Sequence, residues 1–469
     1  MLCDNYDARM AVLDTRPADA FANDRAHVFH SWSAQGALNP AVVSRAEGSY
    51  FWTDDGTKYL DFSSQLVNVN IGHQHPKLVA AIKEYADKLC TIAPIHANDA
   101  RSEAARLIVE AAAQGMPEGI SAEQKLDMVF FTNGGAEATE NAVRMARLHT
   151  GRHKILNHYR SYHGATNGAI TLTGDPRRWP SEPGIPGVVH FWGPYPYRSA
   201  FHSTSHEQEC ERALQHLDDV LMVEGAHTVA AIILETVVGT NGILVPPDGY
   251  LEGIRERCDR HGIVMIVDEV MSGFARCGEW FAFQKWGVQP DLVCFAKGSN
   301  SGYLPLGGVV ISRRIADTFK DRPFPGGLTY SGHPLACASA VASINIFKEE
   351  GIVEHARSLG ADVIAPGLEK LKANHPSVGE VRGLGVFWAI ELVRNRTTRE
   401  PLVPFNAAGA DNKPMLDLAA ACKARGLWPF THFNRIHVVP PCTTTAGQVE
   451  EGLAILDEVL TLADEHYTG

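Results

Sequence analysis

The segments GIVMIVDE (262–269) and DLVCFAKG (291–298) are the stretches of this chain that decide its fold. Each contains a short apolar run rich in β-branched or aromatic residues, which is typical of a buried strand. Each run ends in a charged side chain, Asp268 in the first and Lys297 in the second, 29 residues apart. The pattern therefore predicts two buried strands that place a carboxylate and an amine at their carboxyl ends.

Similar apolar runs alternate with helical stretches through the middle of the chain. The predicted strands are 128–132, 154–157, 229–234, 263–267, 292–295 and 308–311, and helices are predicted at 138–149, 250–261 and 281–286. This alternation favours a mostly parallel sheet that helices cover on both faces. Ligands on such sheets bind at the carboxyl ends of the strands, where Asp268 and Lys297 are expected.

The sequence predicts three parts. Residues 1–75 form an N-terminal segment and a hairpin that packs with the small domain, 76–335 the large ligand-binding domain, and 336–469 a smaller α+β domain. The second boundary rests on a change of pattern after Pro334, where a long alanine-rich helix precedes two strands joined at a glycine.

Composition narrows the possible partners. The formal net charge of −12 argues against nucleic acid and anionic membranes, and no apolar run approaches the roughly 18 residues of a membrane-spanning helix. Nine scattered cysteines without a Cys-x-x-Cys pair predict reduced thiols and a cytoplasmic protein. The 21 histidines include no His-Glu-x-x-His motif, so no metal site is expected.

A fixed carboxylate and an isolated lysine are the groups that pyridoxal 5'-phosphate (PLP) requires. The amine forms a Schiff base with the aldehyde, and the carboxylate keeps the ring nitrogen protonated. The strand at 128–132 runs into Asn133-Gly-Gly-Ala136 and then a helix, whose free N–H groups suit a phosphate. The alternative for this stretch is a plain tight turn between a strand and a helix.

Three further features allow both a functional and a structural interpretation. Tyr162 could stack on a pyridine ring or be a core tyrosine. Glu235 ends a buried strand, and it could contact a substrate or form an ion pair with Arg276. The hydroxyl-rich loop 327–334 could supply a phosphate ligand or form a turn.

The stretch 268–279, followed by Phe-Ala-Lys-Gly at 295–298, resembles the signature of class III (ω-) aminotransferases of PLP fold type I. The spacing to 133–137, 162–164 and 329–334 also matches, and the similarity runs from about His27 to the last helix. The resemblance implies an α/β fold: a large domain with a mostly parallel seven-stranded sheet flanked by helices, plus a smaller α+β domain.

The resemblance also implies roles for individual residues. Lys297 is the Schiff-base lysine and carries the proton, Asp268 pairs with the pyridine nitrogen, and Val270 and Tyr162 enclose the ring. The remaining cofactor-binding residues by this resemblance are His163, Glu235, Gly135, Ala136 and, on the phosphate of the partner subunit, Thr329. The enzyme is then a homodimer with shared active sites, and pairing of dimers into tetramers is left open. The reaction is ping-pong transfer of an amino group from an amine donor to an oxo acid.

The chain departs from the family pattern where substrates bind. Trp32 matches an aromatic that covers the site, Val67 stands where amine:pyruvate members have a pocket aromatic, and Phe430 stands near the position of their carboxylate-binding arginine. Arg435 lies two residues before His437, which aligns with the corresponding arginine of 4-aminobutyrate members. We therefore expect Arg435 to bind an acidic end group.

The expected donor is a small ω-amino acid, a taurine-like compound or another primary amine, and the acceptor is pyruvate or 2-oxoglutarate. Two other functions stay open at this point. One is a PLP-dependent aminomutase of the same family, which needs no second substrate. The other is a non-catalytic PLP-binding protein, which the presence of both Lys297 and Asp268 disfavours.

Overall fold

A computed structural model describes residues 17–116 and 119–469 of the chain. Its helices are α1 (Pro17–His27), α2 (Ser64–Val67), α3 (Pro76–Lys88), α4 (Asp99–Ala113), α5 (Gly135–Thr150), α6 (Asn167–Leu172), α7 (His206–Glu224), α8 (Tyr250–His261), α9 (Arg313–Ala316), α10 (Pro334–Glu349), α11 (Ile352–Leu359), α12 (Ala365–Asn374), α13 (Lys413–Ala424) and α14 (Ala446–Asp464). Its strands are β1 (Val43–Glu47), β2 (Tyr50–Thr53), β3 (Lys58–Asp61), β4 (Leu126–Thr132), β5 (Lys154–His158), β6 (Val188–Phe191), β7 (Val229–Glu235), β8 (Val264–Asp268), β9 (Leu292–Phe295), β10 (Gly307–Ser312), β11 (Val378–Leu384), β12 (Phe387–Asn395), β13 (Glu400–Pro401), β14 (Leu427–Trp428), β15 (Phe430–His432) and β16 (Arg435–Val438).

The large sheet has seven strands in the order β4-β10-β9-β8-β7-β5-β6. Strands β9, β8, β7, β5 and β6 are parallel to one another, and β10 runs antiparallel to both of its neighbours. The predicted mostly parallel seven-stranded sheet is thus confirmed. The six strands predicted from apolar runs are present, and β6 was missed because Val-Val-His-Phe is only four residues long and includes a histidine.

Every residue of β7, β8 and β9 is buried, which is why these strands have continuous apolar sequences rather than alternating ones. Helix α5 packs across one face of the sheet, and α4 and α10 cover the other. Since a polar side chain cannot be tolerated within such strands without a partner, the charged residues stand at their ends.

The C-terminal part contains an antiparallel sheet in the order β11-β12-β16-β15, with β13 paired to β12. The N-terminal hairpin β2–β3 joins β14 through a parallel pairing of Leu60 with Leu427. Residues 1–16 of the predicted N-terminal segment lie outside the described residues. Within the described ranges, no helix has the length and apolarity to cross a membrane, and no group of His, Cys, Asp and Glu side chains could hold a metal.

Candidate active site

Asp268 and Lys297 lie at the carboxyl ends of the adjacent parallel strands β8 and β9. Asp268 is 4% exposed, whereas Lys297 is partly exposed and has a left-handed backbone with φ of +39°. A positive φ is costly for a non-glycine residue and persists only where the surrounding structure imposes it. The fold therefore holds the lysine at one defined position beside the carboxylate.

The environment of Lys297 makes its amine nucleophilic. Removal from water lowers its pKa from the usual 10.5 to about 8, against the opposing charges of Asp268 and Glu235. Among the described residues, none accepts a hydrogen bond from the amine or forms an ion pair with it. Near neutral pH an appreciable fraction of the amine is therefore uncharged and free to attack a carbonyl carbon.

A hydrogen-bonded chain of three side chains supports Asp268. The Nδ1 atom of His163 lies 2.7 Å from Oδ2 of Asp268, and its Nε2 lies 3.0 Å from Oδ1 of Asn157. The amide orientation of Asn157 is set because its Nδ2 donates to Ser161 Oγ and to the Leu172 carbonyl. Nε2 of His163 must then donate a hydrogen bond to Asn157. A second proton lies between Nδ1 of His163 and the carboxylate of Asp268, either on the ring or shared by the two groups.

Glu235 ends β7 directly beside Asp268 in the sheet register. Its carboxylate accepts hydrogen bonds from the backbone N–H groups of Tyr162 (2.9 Å) and Gly239 (2.8 Å). Burial, together with the charge of Asp268, raises its pKa to about 7. The alternative ion pair with Arg276 is absent from the described structure. That fully buried guanidinium instead donates to oxygen atoms of Ser64, Asn70, Val386 and Pro440.

The amino end of α5 fits the phosphate of PLP. Gly134 occupies the N-cap position and offers no side-chain oxygen, so the first backbone N–H groups of the helix remain available to a ligand. A Cβ atom on Gly135 would lie 2.9 Å from the methyl carbons of Val270. One on Gly164 would lie 2.5 Å from the Cβ of Ala136. These glycines let the helix end approach the loops that carry Val270 and Tyr162.

Two aromatic residues, Tyr162 and Trp32, contact each other beside these loops. Tyr162 is partly buried, and the ring of Trp32 stands edge-on to it with 6.2 Å between centroids. Trp32 is 63% exposed, so it borders the open side of the site. Thr329 is also exposed, on a loop whose Ser331 hydroxyl donates to the Phe131 carbonyl of β4.

The hairpin β15–β16 gathers a second group of side chains. Phe430 faces His437 across the hairpin, and His432 faces Arg435, so these four residues share one face; we call it the β15–β16 face. Burial lowers the pKa of His432 to about 3. The sequence interpretation named Phe430 and Arg435 and missed His432. His432 lies two residues after Phe430 on the same strand, and this spacing alone would have predicted that the two side chains share a face.

Arg435 belongs to a buried network around Glu391. The Nε atom of Arg435 lies 3.5 Å from Oε2 of Glu391, whose carboxylate also pairs with Arg382 and Arg198. The hydroxyl of Tyr195 donates to the same carboxylate. Three guanidinium groups share this one carboxylate, and their charges hold its pKa well below the usual range despite burial. Arg382 also pairs with Glu380, so the cluster of three arginines and two glutamates is net positive next to the β15–β16 face.

Val67, which is predicted to line the substrate pocket, has a buried side chain. Its side chain is 1% exposed and packs in the hydrophobic core, whereas the neighbouring Leu66 is 55% exposed. The segment Ser64–Val67 contains residues with positive φ, so its side chains do not follow the directions of a regular helix or strand. Sequence alignment with an aromatic position of relatives could not reveal this turn.

Comparison with known proteins agrees with this geometry. The family model for class-III aminotransferases matches residues 32–460. The structure of a taurine:2-oxoglutarate aminotransferase from Bifidobacterium kashiwanohense, in complex with PLP and glutamate, is 42% identical with a TM-score of 0.91, and the match covers 97% of this chain and 99% of that one. A putrescine–pyruvate aminotransferase of Pseudomonas aeruginosa is 36% identical over 90% of this chain and 89% of its own length. A 5-aminovalerate aminotransferase of the same organism is 33% identical over 90% and 94%, respectively.

Proposed function

The chain belongs to the class III aminotransferase family, whose members use PLP, and from this premise we propose that it transfers an amino group from a small donor with an acidic end group to an oxo acid. The donor is an ω-amino acid or a taurine-like sulfonate, and the acceptor is pyruvate or 2-oxoglutarate. The observation that carries the proposal is a group of buried nitrogen atoms on the β15–β16 face that lack hydrogen-bond partners. Within the described residues, these are Nη1 of Arg435, Nε2 of His432 and both ring nitrogens of His437.

Unpartnered buried donors are rare because each costs free energy, about 1–3 kcal/mol. A carboxylate or sulfonate at the β15–β16 face would accept hydrogen bonds from Arg435, and the positive Glu391 network would favour its charge. An amine donor without an acidic end group has no oxygen atom that could accept these hydrogen bonds. The face thus supports donors and acceptors that carry an acidic group.

Bound PLP supplies an aldehyde that takes up the amino group and a ring that withdraws electrons from the neighbouring carbon. Lys297 would hold the cofactor aldehyde, and its amine would carry the proton in the reaction. Asp268, which contacts His163, would pair with the ring nitrogen. Val270 and Tyr162 would enclose the ring, and the N–H groups of Gly135 and Ala136 at the start of α5 would hold the phosphate.

We also propose that two copies of the chain share their active sites. Thr329 is exposed on its own subunit, where it is free to reach the phosphate bound by a partner. This proposal is checked by mixing a Thr329→Val variant with a Lys297→Ala variant. If subunits exchange, the mixed dimer regains a site with both intact residues, whereas a monomeric enzyme regains nothing.

Donor half-reactions without an acceptor test the function directly. The loss of absorbance of the PLP-loaded enzyme is followed with β-alanine, 4-aminobutyrate and taurine as acidic donors. Propylamine and butylamine have similar lengths but no acidic group, and they serve as the neutral-ended controls. We expect kcat/KM to be at least about tenfold higher for the acidic donors, since a charged hydrogen bond is worth roughly 1.5–3 kcal/mol. Equal or faster reaction of the neutral amines would contradict the proposed donor class. Stoichiometric consumption of the oxo acid in the full reaction separates a transaminase from an aminomutase.

A further inference from the structure

A second arginine reaches the active site from the large domain. The guanidinium carbon of Arg177 lies 3.8 Å from the centroid of the Tyr162 ring, the residue that forms one wall of the cofactor site. The backbone N–H of Tyr162 donates to Glu235 at 2.9 Å, which ties this aromatic residue to the strand end beside Asp268. Nothing in the motif pattern pointed to Arg177, because it follows a turn at Asp175-Pro176 rather than ending a buried strand.

The surrounding residues hold Arg177 in one orientation. Its Nε donates to both carboxylate oxygens of Asp175 (2.9 and 3.1 Å), and its Nη2 donates to Asp175 and to the Thr240 hydroxyl (2.8 Å). Asn241 in turn donates to the same carboxylate at 2.9 Å. These hydrogen bonds to two of its nitrogens offset the side-chain entropy that is lost when a long arginine is fixed in one orientation.

One edge of this guanidinium remains open. Nη1 forms no hydrogen bond with any residue in the described ranges, and the side chain retains 21% of its exposure. The engaged edge faces Asp175 and Thr240, so the open edge is the one available to a ligand. An arginine with one satisfied and one free edge can still form a charged hydrogen bond to a carboxylate.

Arg177 and Arg435 approach the same loop, residues 240–242, from different parts of the chain. Nη2 of Arg177 donates to the Thr240 hydroxyl at 2.8 Å, and a Cβ atom on Gly242 would lie 3.0 Å from Nε of Arg435, which stands on the β15–β16 face. Each has its own carboxylate partner, Asp175 in one case and Glu391 in the other. A substrate with one acidic group can use only one of these cations well, whereas a substrate with two can use both.

We propose that Arg177 determines specificity by binding a carboxylate through Nη1, and that Arg177 and Arg435 together receive the two carboxylates of a dicarboxylic oxo acid. This inference rests on the proposed function and selects its acceptor. A dicarboxylic oxo acid such as 2-oxoglutarate engages both arginines, and a monocarboxylic one such as pyruvate leaves one of them unused. The donor, with a single acidic group, depends on Arg177 less than the acceptor does.

Acceptor selectivity of the PLP-loaded enzyme tests this role. The variants are Arg177→Gln, which removes the charge, Arg177→Lys, which retains it, and Arg178→Gln as a control. Arg178 is the next residue but is engaged elsewhere, by Glu182 and the Thr173 carbonyl. Absorbance of bound PLP and the melting temperature of each variant establish that it is folded and loaded.

We expect the ratio of kcat/KM for 2-oxoglutarate to that for pyruvate to fall at least about tenfold in Arg177→Gln, which corresponds to loss of one charged hydrogen bond. Arg177→Lys should recover part of the ratio, and Arg178→Gln should keep it. An unchanged ratio in Arg177→Gln, or a parent enzyme that prefers pyruvate, would overturn the inference while leaving a transaminase with acidic donors intact. Failure of the proposed function is recognised separately, because the parent enzyme would then show no preference for acidic donors.

Discussion

The cofactor end of the large sheet and the β15–β16 face differ in how completely their polar groups are paired. Apart from the amine of Lys297, the polar groups of Asp268, His163 and Glu235 are paired with one another or with nearby backbone and side-chain groups. On the β15–β16 face, Arg435, His432 and His437 retain buried nitrogen atoms without partners among the described residues. The cofactor end is thus preorganised before any substrate arrives, whereas the β15–β16 face is completed by what binds there. Changes at the first should affect every substrate equally, and changes at the second should alter the choice among them.

The largest loss is expected from Lys297→Ala. Without the amine, the enzyme lacks both the group that holds the cofactor aldehyde and the group that moves the proton, so kcat should fall by at least roughly 10³-fold for all donors. Steady-state rates and bleaching of the bound cofactor by an amine measure this. The exposed Lys285, changed to Ala, is the matched control. Retention of more than a few per cent of the activity would show that another residue carries the proton.

Asp268→Asn should be the next most severe change. The amide cannot balance the charge of a protonated ring nitrogen, and it weakens the contact with His163, so we expect kcat to fall roughly 10²–10³-fold. The same factor should apply to acidic and neutral donors, since the ring is common to both. A loss of activity confined to one donor class would contradict the view that the cofactor end affects all substrates equally and that only the β15–β16 face selects among them.

Arg435→Gln should change selectivity more than overall activity. Loss of the open guanidinium edge should lower kcat/KM for acidic donors about 10–100-fold, or roughly 1.4–2.8 kcal/mol, and should leave neutral amines nearly unchanged. Arg425→Gln, on an exposed ion pair with Glu458, serves as the control. Equal losses for both donor classes would mean that Arg435 acts only as part of the Glu391 network.

The smallest expected effect is on pH dependence. Because only the neutral amine of Lys297 attacks the aldehyde, uptake of PLP by the apoenzyme should become faster as the pH rises, with a midpoint near the pKa of about 8. Between pH 8 and pH 7 the rate should fall about fivefold, in line with the neutral fraction. Stopped-flow absorbance follows the uptake, with free PLP and a lysine derivative as the reference. A midpoint near 10.5 would show that burial does not activate this amine.

Prediction from sequence was most accurate for side chains whose position follows from the strand that carries them. The apolar runs before Asp268 and Lys297 identified β8 and β9, and parallel pairing then required both side chains to share one edge of the sheet. The paired glycines after β4 likewise indicated a helix end open to phosphate. The same reasoning missed β6, whose run of four residues is too short for a periodic signal.

Prediction was weakest where a contact joins distant segments. Val67 was placed at the pocket by alignment, yet the turn at Ser64–Val67 directs it into the core. Arg177 and Glu391 carry no recognisable motif, and their roles depend on a cation–π contact and a network of three arginines that no spacing encodes.

The sequence by itself determined the α/β fold, the family and the candidate residues for PLP, because each of these depends on apolar periodicity or on a motif within one strand-to-loop segment. Tertiary structure alone decided which polar groups are satisfied and which remain open. That distinction depends on contacts between side chains more than 200 residues apart in the chain, such as Arg177 and Arg435 on either side of the loop 240–242, and only the packing of distant segments sets them.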